Sequence, residues 1–354
     1  MDIRRGMLKR VQEMKKKVTI KDIAREAGVS HATVSMVFSG EPRISEETSK
    51  KVFRIARRMN YVPNMAARNL RKGESKLIGF VLNDLSNPVY GRMAQVAETA
   101  ATALGYQVII ADHQWSPEGE ADAIRKMIGF RARGLLVCST EQSNSALNLL
   151  SEMGNPAVVA LDNCPPGFKG AYVGCDTEAL GSIAAKHLIE VGCKNPLLFT
   201  GTHALRDFSS FVNLKKGFVE YLSNQGFENP EKRVVYSGLT IEEGQQAYYR
   251  IFAQKIPVDG IFCVNDLCAC GVMAATDELG IKIGRSLALM GIGDHPFSSL
   301  PRISLTSIRE PLERIVRLAV EELIHSFEQE CSPDIRLDLP PELVVRSSSR
   351  LAIA

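Results

Sequence analysis

Five polar side chains share one setting in the sequence. Asn83, Asp84, Asp162, Asp266 and Asp294 each close a short apolar run, in LIGFVLND, AVVALDN, GIFCVND and LALMGIGD. Apolar runs of this length, bounded by turn residues, read as buried strands. In open α/β sheets small ligands bind beyond the carboxyl ends of the strands, and an ionised carboxylate there accepts hydrogen bonds from ligand hydroxyls or N–H groups. The single tryptophan, Trp115, follows IIADHQ at another such end, where it either stacks on a flat ligand face or covers the surface. Taken alone, a strand-end carboxylate such as Asp266 serves equally well as the cap of the next helix.

A second chemistry is suggested by AGVSHATVSMVFSG, Ala27 to Gly40, fourteen uncharged residues inside the most basic part of the chain. Residues 1–76 hold 19 Lys and Arg against 8 Asp and Glu, a net +11, whereas the remainder holds 24 basic and 32 acidic residues, a net −8. The overall +3 conceals this asymmetry, which fits a small polyanion-binding segment joined to a larger acidic body. Small polar and apolar side chains suit the base edges of a DNA major groove. The flanking Lys21, Arg25, Lys50, Lys51 and Arg68 suit its phosphates.

These groups need elements to hold them. TIKD, Thr19 to Asp22, is a capping box, and Ile20, Ile23, Ala24 and Ala27 follow at helical spacing. Gly28 stops that helix, Ser30 caps a second with Val34, Val37 and Phe38 inward, and Ser45 caps a third with Val52, Ile55, Ala56 and Met59 as its stripe. Three short helices with a tight first turn predict a helix-turn-helix unit over residues 18–62. Beyond Lys76, eight β-rich runs alternate with helical stretches such as Pro88–Leu104, Glu178–Val191 and Leu267–Leu279. Such alternation predicts α/β architecture with parallel sheets covered on both faces. AYVGCD follows AVVALDN without an intervening helix, which favours a crossover between two lobes over a single eight-stranded barrel. Residues 63–76 read as a hinge helix and linker, with Pro63 as a break and Asn64 as the cap of Met65–Leu70. Residues 1–17 read as a basic leader, with Met1, Met7 and Met14 all available as starts.

Several functions find no support. The eight cysteines form no CxxC pair and mostly sit in apolar runs, where cysteine behaves as a small hydrophobe; they are expected to be reduced thiols of a cytoplasmic protein. No stretch reaches the length of a membrane span, and the N-terminus lacks the apolar run of a secretory signal. GxSxG, GxxxxGK[ST], HExxH and a GxGxxG after a strand are all missing, and the six histidines show no metal spacing. The expectation is therefore no enzyme activity, no metal and no cofactor. A sugar-modifying enzyme or an exported sugar-binding protein remains a remote alternative.

The residues VTIKDIAREAGVSHATVSMVF, PRISEETSKKVFRIARRMNYVPNMAARNLRKGES, IGFVLNDLSNPVY, GIFCVNDLCACGVMAATDELG, LTSIREPLERI and ELVVRSSS together resemble the LacI/GalR family of bacterial transcription regulators, over nearly all of Val18 to Arg350. The resemblance implies a helix-turn-helix head on a two-lobed, periplasmic-binding-protein-like body. It places one lobe at about 77–174 plus 304–332 and the other at about 175–303 plus 333–354. It places His31, Ala32 and Met36 at base-reading positions, with Thr19, Ser30 and Thr33 at capping or phosphate contacts. Asn64, Ala67 and Arg68 go to the hinge helix, and Leu70 becomes a wedge in the minor groove. It implies effector contacts from Asp266, Asp162, Tyr90, Asp84, Trp115, Arg206 and Asp294. The implied partners are a near-palindromic double-stranded operator, a small-molecule effector such as a sugar, and a second copy of the chain, as a dimer or tetramer; no membrane is implied. The alternative is the same DNA-binding regulator gated by a protein partner or lacking an effector. Three positions depart from the pattern: Met36 and Leu214 stand where the family commonly has Arg, and Gly293 where it often has Asp.

Overall fold

The computed structural model describes residues 18–39, 41–62, 75–140, 150, 157–164, 168 and 170–351. The chain divides into two compact units, Met1–Glu74 and Ser75–Ala354. In the first, the capping signals set the helix starts. Helix α1 (Ile20–Ala27) begins at the Thr19–Asp22 capping box. Helix α2 (His31–Phe38) begins at Ser30, whose hydroxyl accepts the Thr33 N–H at 3.0 Å. Helix α3 (Glu46–Arg58) begins at Ser45, which caps Thr48 in the same way. Each such cap contributes about 1 kcal/mol. Gly28 ends α1 at φ 65°, the left-handed region that a glycine enters without a Cβ penalty. Ile23, Ala24 and Ala27 then pack on Val34, Val37, Val52, Ile55 and Ala56 to make a small core. The leader 1–17 and the expected hinge positions Asn64, Ala67, Arg68 and Leu70 lie outside the described residues.

The second unit carries two six-stranded sheets among the described residues. The first lobe contributes β1 (Leu77–Leu82), α4 (Pro88–Ala103), β2 (Gln107–Asp112), α5 (Pro117–Gly129), β3 (Gly134–Val137), β4 (Ala157–Leu161) and β5 (Ala171–Cys175). The second contributes α6 (Thr177–Glu190), β6 (Pro196–Thr200), α7 (Ser209–Asn224), β7 (Val234–Tyr236), α8 (Ile241–Ala253), β8 (Gly260–Cys263), α9 (Asp266–Glu278), β9 (Ala288–Ile292) and β10 (Thr306–Arg309). The chain then returns through α10 (Leu312–Gln329) and β11 (Arg336–Leu339) to end at β12 (Glu342–Val344). Strand order is β11-β5-β4-β3-β1-β2 in one sheet and β12-β10-β9-β8-β6-β7 in the other, parallel throughout except for β12 against β10. Both faces of each sheet are covered by helices, which is why the central strands are unbroken apolar runs.

Two expectations about the lobes are corrected. β4 and β5 are parallel neighbours in one sheet, with Val159 opposite Ala171, so the first crossover follows β5 rather than separating the two runs. The C-terminal division also differs from 304–332 and 333–354. β10 belongs to the second sheet because Thr306 to Ile308 pair with Met290 to Ile292. β11 belongs to the first because Arg336 to Leu339 pair with Tyr172 to Cys175. Helix α10 joins the first lobe's core through Ile315, Val316, Ala319, Val320, Leu323 and Phe327. Three passages therefore connect the lobes, after β5, after β10 and after β11.

Helix pairs over the second sheet meet at glycine. A Cβ on Gly181 of α6 would stand 2.0 Å from the Leu214 carbonyl oxygen, and one on Gly217 of α7 would stand 1.9 Å from that of Glu178. The α6–α7 approach thus has no room for any side chain at these two positions.

Candidate functional site

In the head, the side chains of α2 divide sharply. Val34 and Val37 are buried, whereas His31, Ala32 and Met36 are exposed. Met36 is 36% exposed, so it is no core residue, and with Ala32 one turn away it shares a helix face. The Ser30 hydroxyl is engaged with Thr33, both backbone N–H and Oγ1 (2.9 Å), and Thr19 Oγ1 donates to Asp22 Oδ2 at 2.7 Å. These three hydroxyls therefore fix the helix starts. The flanking helices α1 and α3 carry exposed cations. Arg25 and Lys50 are tied to Asp22 and Glu46, while Lys21, Lys51, Arg54 and Arg57 enter no ion pair among the described residues. The head thus combines a helix exposing hydrogen-bonding and apolar side chains with exposed positive charge on its neighbouring helices, which suits base edges and phosphates respectively.

In the body, a cleft of about 90 Å3, open to solvent, lies between the carboxyl ends of the two sheets. Tyr90, Trp115 and Asp162 line it from the first lobe, Phe211, Leu214 and Asn265 from the second, and Glu310 from the β10–α10 passage. Trp115 joins the two sides. Its ring meets Tyr90 edge-on at 6.2 Å and reaches across to Phe208 at 5.5 Å and Phe211 at 6.1 Å. Its indole N–H is buried and has no acceptor among the described residues.

Asp162 sits at φ 64°, which turns its carboxylate into a polar knot. Its Oδ2 accepts from Tyr90 Oη at 2.9 Å and from Asn83 Nδ2 at 3.4 Å, and the same Asn83 amide donates to Tyr90 Oη at 2.9 Å. Burial raises the Asp162 carboxyl to about 6, against the lowering effect of the Tyr90 hydroxyl. Glu310 is raised further, to about 8, first by burial and then by the charges of Asp162 and Asp266. Two carboxyl groups thus share a cleft lined by no Lys or Arg among the described residues.

The other expected contacts are placed elsewhere. Asp266 opens α9 with its side chain wholly buried, and the cleft is lined by its neighbour Asn265 instead. The Asp266 carboxylate accepts from Ser298 Oγ (2.6 Å), Ser307 Oγ (2.7 Å) and the His295 N–H (2.9 Å). It is a buried anchor tying α9 to β10 and to the loop after β9. Even its role as a helix cap passes to Asn265, which accepts the Cys268 N–H at 2.7 Å. Asp294 is also corrected: its carboxylate is held between Arg309 and Arg346, away from the cleft lining. Arg206 is exposed and pairs with Asp207, and His203 stacks on Tyr236 at 4.0 Å, so neither substitutes for a cation at Leu214. Asp84 lines a second, more open pocket that shares Trp115 and Leu239 with the cleft, and its Oδ1 accepts from the N–H and hydroxyl of Ser86. Sequence reasoning missed Glu310 and Asn265 as lining residues; the one available signal was that both stand at strand ends, within SIREPLERI and CVNDL.

Comparison with known proteins gives concordant matches. Residues 19–64 match the family described as "Bacterial regulatory proteins, lacI family", and residues 185–349 match a "Periplasmic binding protein-like domain". The HTH-type transcriptional regulator GntR of Pseudomonas aeruginosa is 30% identical over 332 residues, covering 94% of this chain and 95% of that protein. The HTH-type transcriptional regulator GalR of Escherichia coli is 28% identical over 331 residues, covering 93% and 95%. Among solved structures, the lac repressor dimer bound to operator and the anti-inducer ONPF superposes with a TM-score of 0.82 at 24% identity, covering 95% of this chain and 100% of that one. A complex of the transcriptional regulator CelR with cellobiose superposes with a TM-score of 0.70 at 24% identity, covering 94% and 100%. These two likenesses establish the shared fold.

Proposed function

Because the chain belongs to the LacI family of bacterial regulatory proteins and is a DNA-binding transcriptional regulator, we propose that it is a repressor that binds a near-palindromic operator as a homodimer and is gated by a small molecule in the interlobe cleft. The observation that carries the DNA half is the exposed face of His31, Ala32 and Met36 on the capped helix α2. His31 donates or accepts at a base edge, Ala32 packs closely, and Met36 packs against an apolar feature such as a thymine methyl. Met36 cannot make the bidentate bond that an arginine makes to guanine, so the preferred site differs from the family's common ones at that base pair. Thr19, Ser30 and Thr33 orient the helix and reach phosphates from their capped positions. By resemblance, Asn64, Ala67 and Arg68 make the hinge contacts and Leu70 wedges into the central minor-groove step, which bends DNA toward the major groove. Two heads and two hinges imply half-sites related by two-fold symmetry.

The effector half is supported by the cleft itself. Ligand contacts come from Asp162, Tyr90 and Trp115, with Asp84 in the adjoining pocket. A ligand entering here competes with the Trp115 contacts to Phe208 and Phe211 and so changes the angle between lobes. Strand β1 starts at Leu77, directly after the hinge segment, so a shift of the first lobe is passed on through the chain. Either induction or corepression requires only that the ligand favour one lobe arrangement. In vitro selection of bound fragments from random and genomic DNA tests the proposal. Enrichment of a near-palindrome with a distinct central step is the expected result; retention of DNA without sequence enrichment, with or without a small-molecule extract, contradicts it.

A further inference from the structure

The chemistry of the cleft narrows the ligand class. Anionic effectors need a cation, and among the described residues none lines this cleft. Leu214, where an arginine would project from α7, is apolar and buried. Several basic side chains near the cleft in sequence are committed to other acids: Arg92 to Glu313, Arg309 to Asp294 and Glu342, and Lys216 to Glu178. What faces the space is the opposite set, the carboxyl groups of Asp162 and Glu310 with the rings of Tyr90, Trp115 and Phe211. Glu310 has no side-chain hydrogen-bond partner or ion pair among the described residues.

The surroundings of Asp162 add an independent observation. Asn83 and Asn163 are both completely buried, and both turn their amide nitrogens toward Asp162 Oδ2, at 3.4 and 3.5 Å. The Oδ1 atoms of both are buried with no donor among the described residues. Unsatisfied buried acceptors are costly; although neither amide lines the cleft, both add to the acceptor-rich surroundings of the Asp162 carboxylate that does. Carboxylates, surplus acceptors and aromatic faces are together the environment of an organic ammonium group, which donates hydrogen bonds, carries charge and is attracted to ring faces.

We propose that the cleft takes a small organic cation, a protonated amine whose charge is met by Asp162 and Glu310 and whose carbon body lies against Trp115 and Phe211. The proposal rests on the reading of the cleft as the effector site. Leu214 and the committed arginines make the same cleft reject sugar phosphates and carboxylic acids.

The test uses the full-length protein and matched probes in which one group changes: glucosamine, glucose and glucuronate; benzylamine, benzyl alcohol and benzoate; 1,4-diaminobutane, 1,4-butanediol and succinate. Emission of Trp115, the single tryptophan, reports binding directly, and affinity for the selected operator is followed in parallel. The amine of at least one triple is expected to bind at least about tenfold more tightly than its neutral and acidic counterparts. Asp162→Asn and Glu310→Gln are each expected to bring that preference to within about threefold while the far-ultraviolet spectrum is unchanged. Equal or tighter binding of the alcohols, sugars or acids overturns the cation assignment and leaves the effector site standing. Amine binding that survives both substitutions unchanged also overturns it. If no probe binds, a deproteinised bacterial extract split by ion exchange decides. Activity on operator affinity only in the cation-retained fraction supports the proposal, activity in the neutral or anionic fraction overturns it alone, and activity in none overturns the effector reading with it.

Discussion

Replacing Glu310 by Gln should flatten a specific part of the pH–stability curve. Burial and two neighbouring carboxyl groups raise Glu310 from an ordinary value of 4.5 to about 8. In the unfolded chain it loses its proton near 4.5, whereas in the folded protein it keeps it until about 8. The folded state therefore binds more protons between those values, and its stability falls as pH rises through that window. The limiting slope for one proton is about 1.4 kcal/mol per pH unit. Integrated from pH 6 to pH 8, the Glu310 contribution is a loss of about 2 kcal/mol. Asp162, raised to about 6, acts mostly below this window. His187 and His295, lowered by burial, act in the opposite direction near pH 6, but they are common to both proteins and cancel in the comparison. The assay is urea unfolding at pH 6, 7 and 8, followed by Trp115 emission and by circular dichroism. The gap in body stability between Glu310→Gln and wild type should widen by about 2 kcal/mol across that range, in favour of the variant. Parallel curves for the two proteins would refute the claim that the partly buried Glu310 carboxyl lines the cleft without a counter-charge among the described residues.

Four further outcomes follow from the same geometry. Asp266→Ala leaves two hydroxyls and one N–H without their acceptor and should destabilise the body by about 3 kcal/mol in urea unfolding; a change under about 1 kcal/mol would show that the anchor is dispensable. Gly217→Ala places a methyl against the Glu178 carbonyl and should cost more than about 2 kcal/mol by the same assay, far beyond the small gain alanine brings to an open helix position. Ser30→Ala removes the cap of α2 and should raise hydrogen exchange at residues 31–38 in line with a loss of about 1 kcal/mol, with the body's exchange unaltered. Met36→Arg should shift the selected operator toward guanine at one base pair of each half-site and steepen the salt dependence of binding; an identical consensus would remove Met36 from the base-reading face.

The head was legible in the sequence almost residue by residue. Hydroxyl caps at Thr19, Ser30 and Ser45, a glycine stop at Gly28 and helical spacing of small apolar residues are local signals, and local hydrogen bonds realise them. The sheets were legible for a similar reason, since strands buried on both faces are continuous apolar runs. The lobe boundaries near the C-terminus were not, because β10, β11 and β12 are assigned by pairing with distant strands and not by anything within their own four or three residues. The cleft was legible by half. Tyr90, Trp115 and Asp162 do come together, but strand-end position alone does not separate Asp162, which lines the cleft, from Asp266 and Asp294, which turn away to three internal donors and to two arginines. Which way a carboxylate turns is decided by partners 15 to 52 residues distant, and spacing carries no trace of them.

Reciprocal linkage between the cleft and the operator tests the central claim most directly. Operator affinity of the full-length protein should be measured at saturating and at zero concentration of each compound that changes Trp115 emission, and compound affinity measured with and without operator DNA. The account predicts that every compound bound in the cleft changes operator affinity, and that the operator changes that compound's affinity by the same factor. Compounds that occupy the cleft, move Trp115 emission and leave operator affinity unchanged would contradict it.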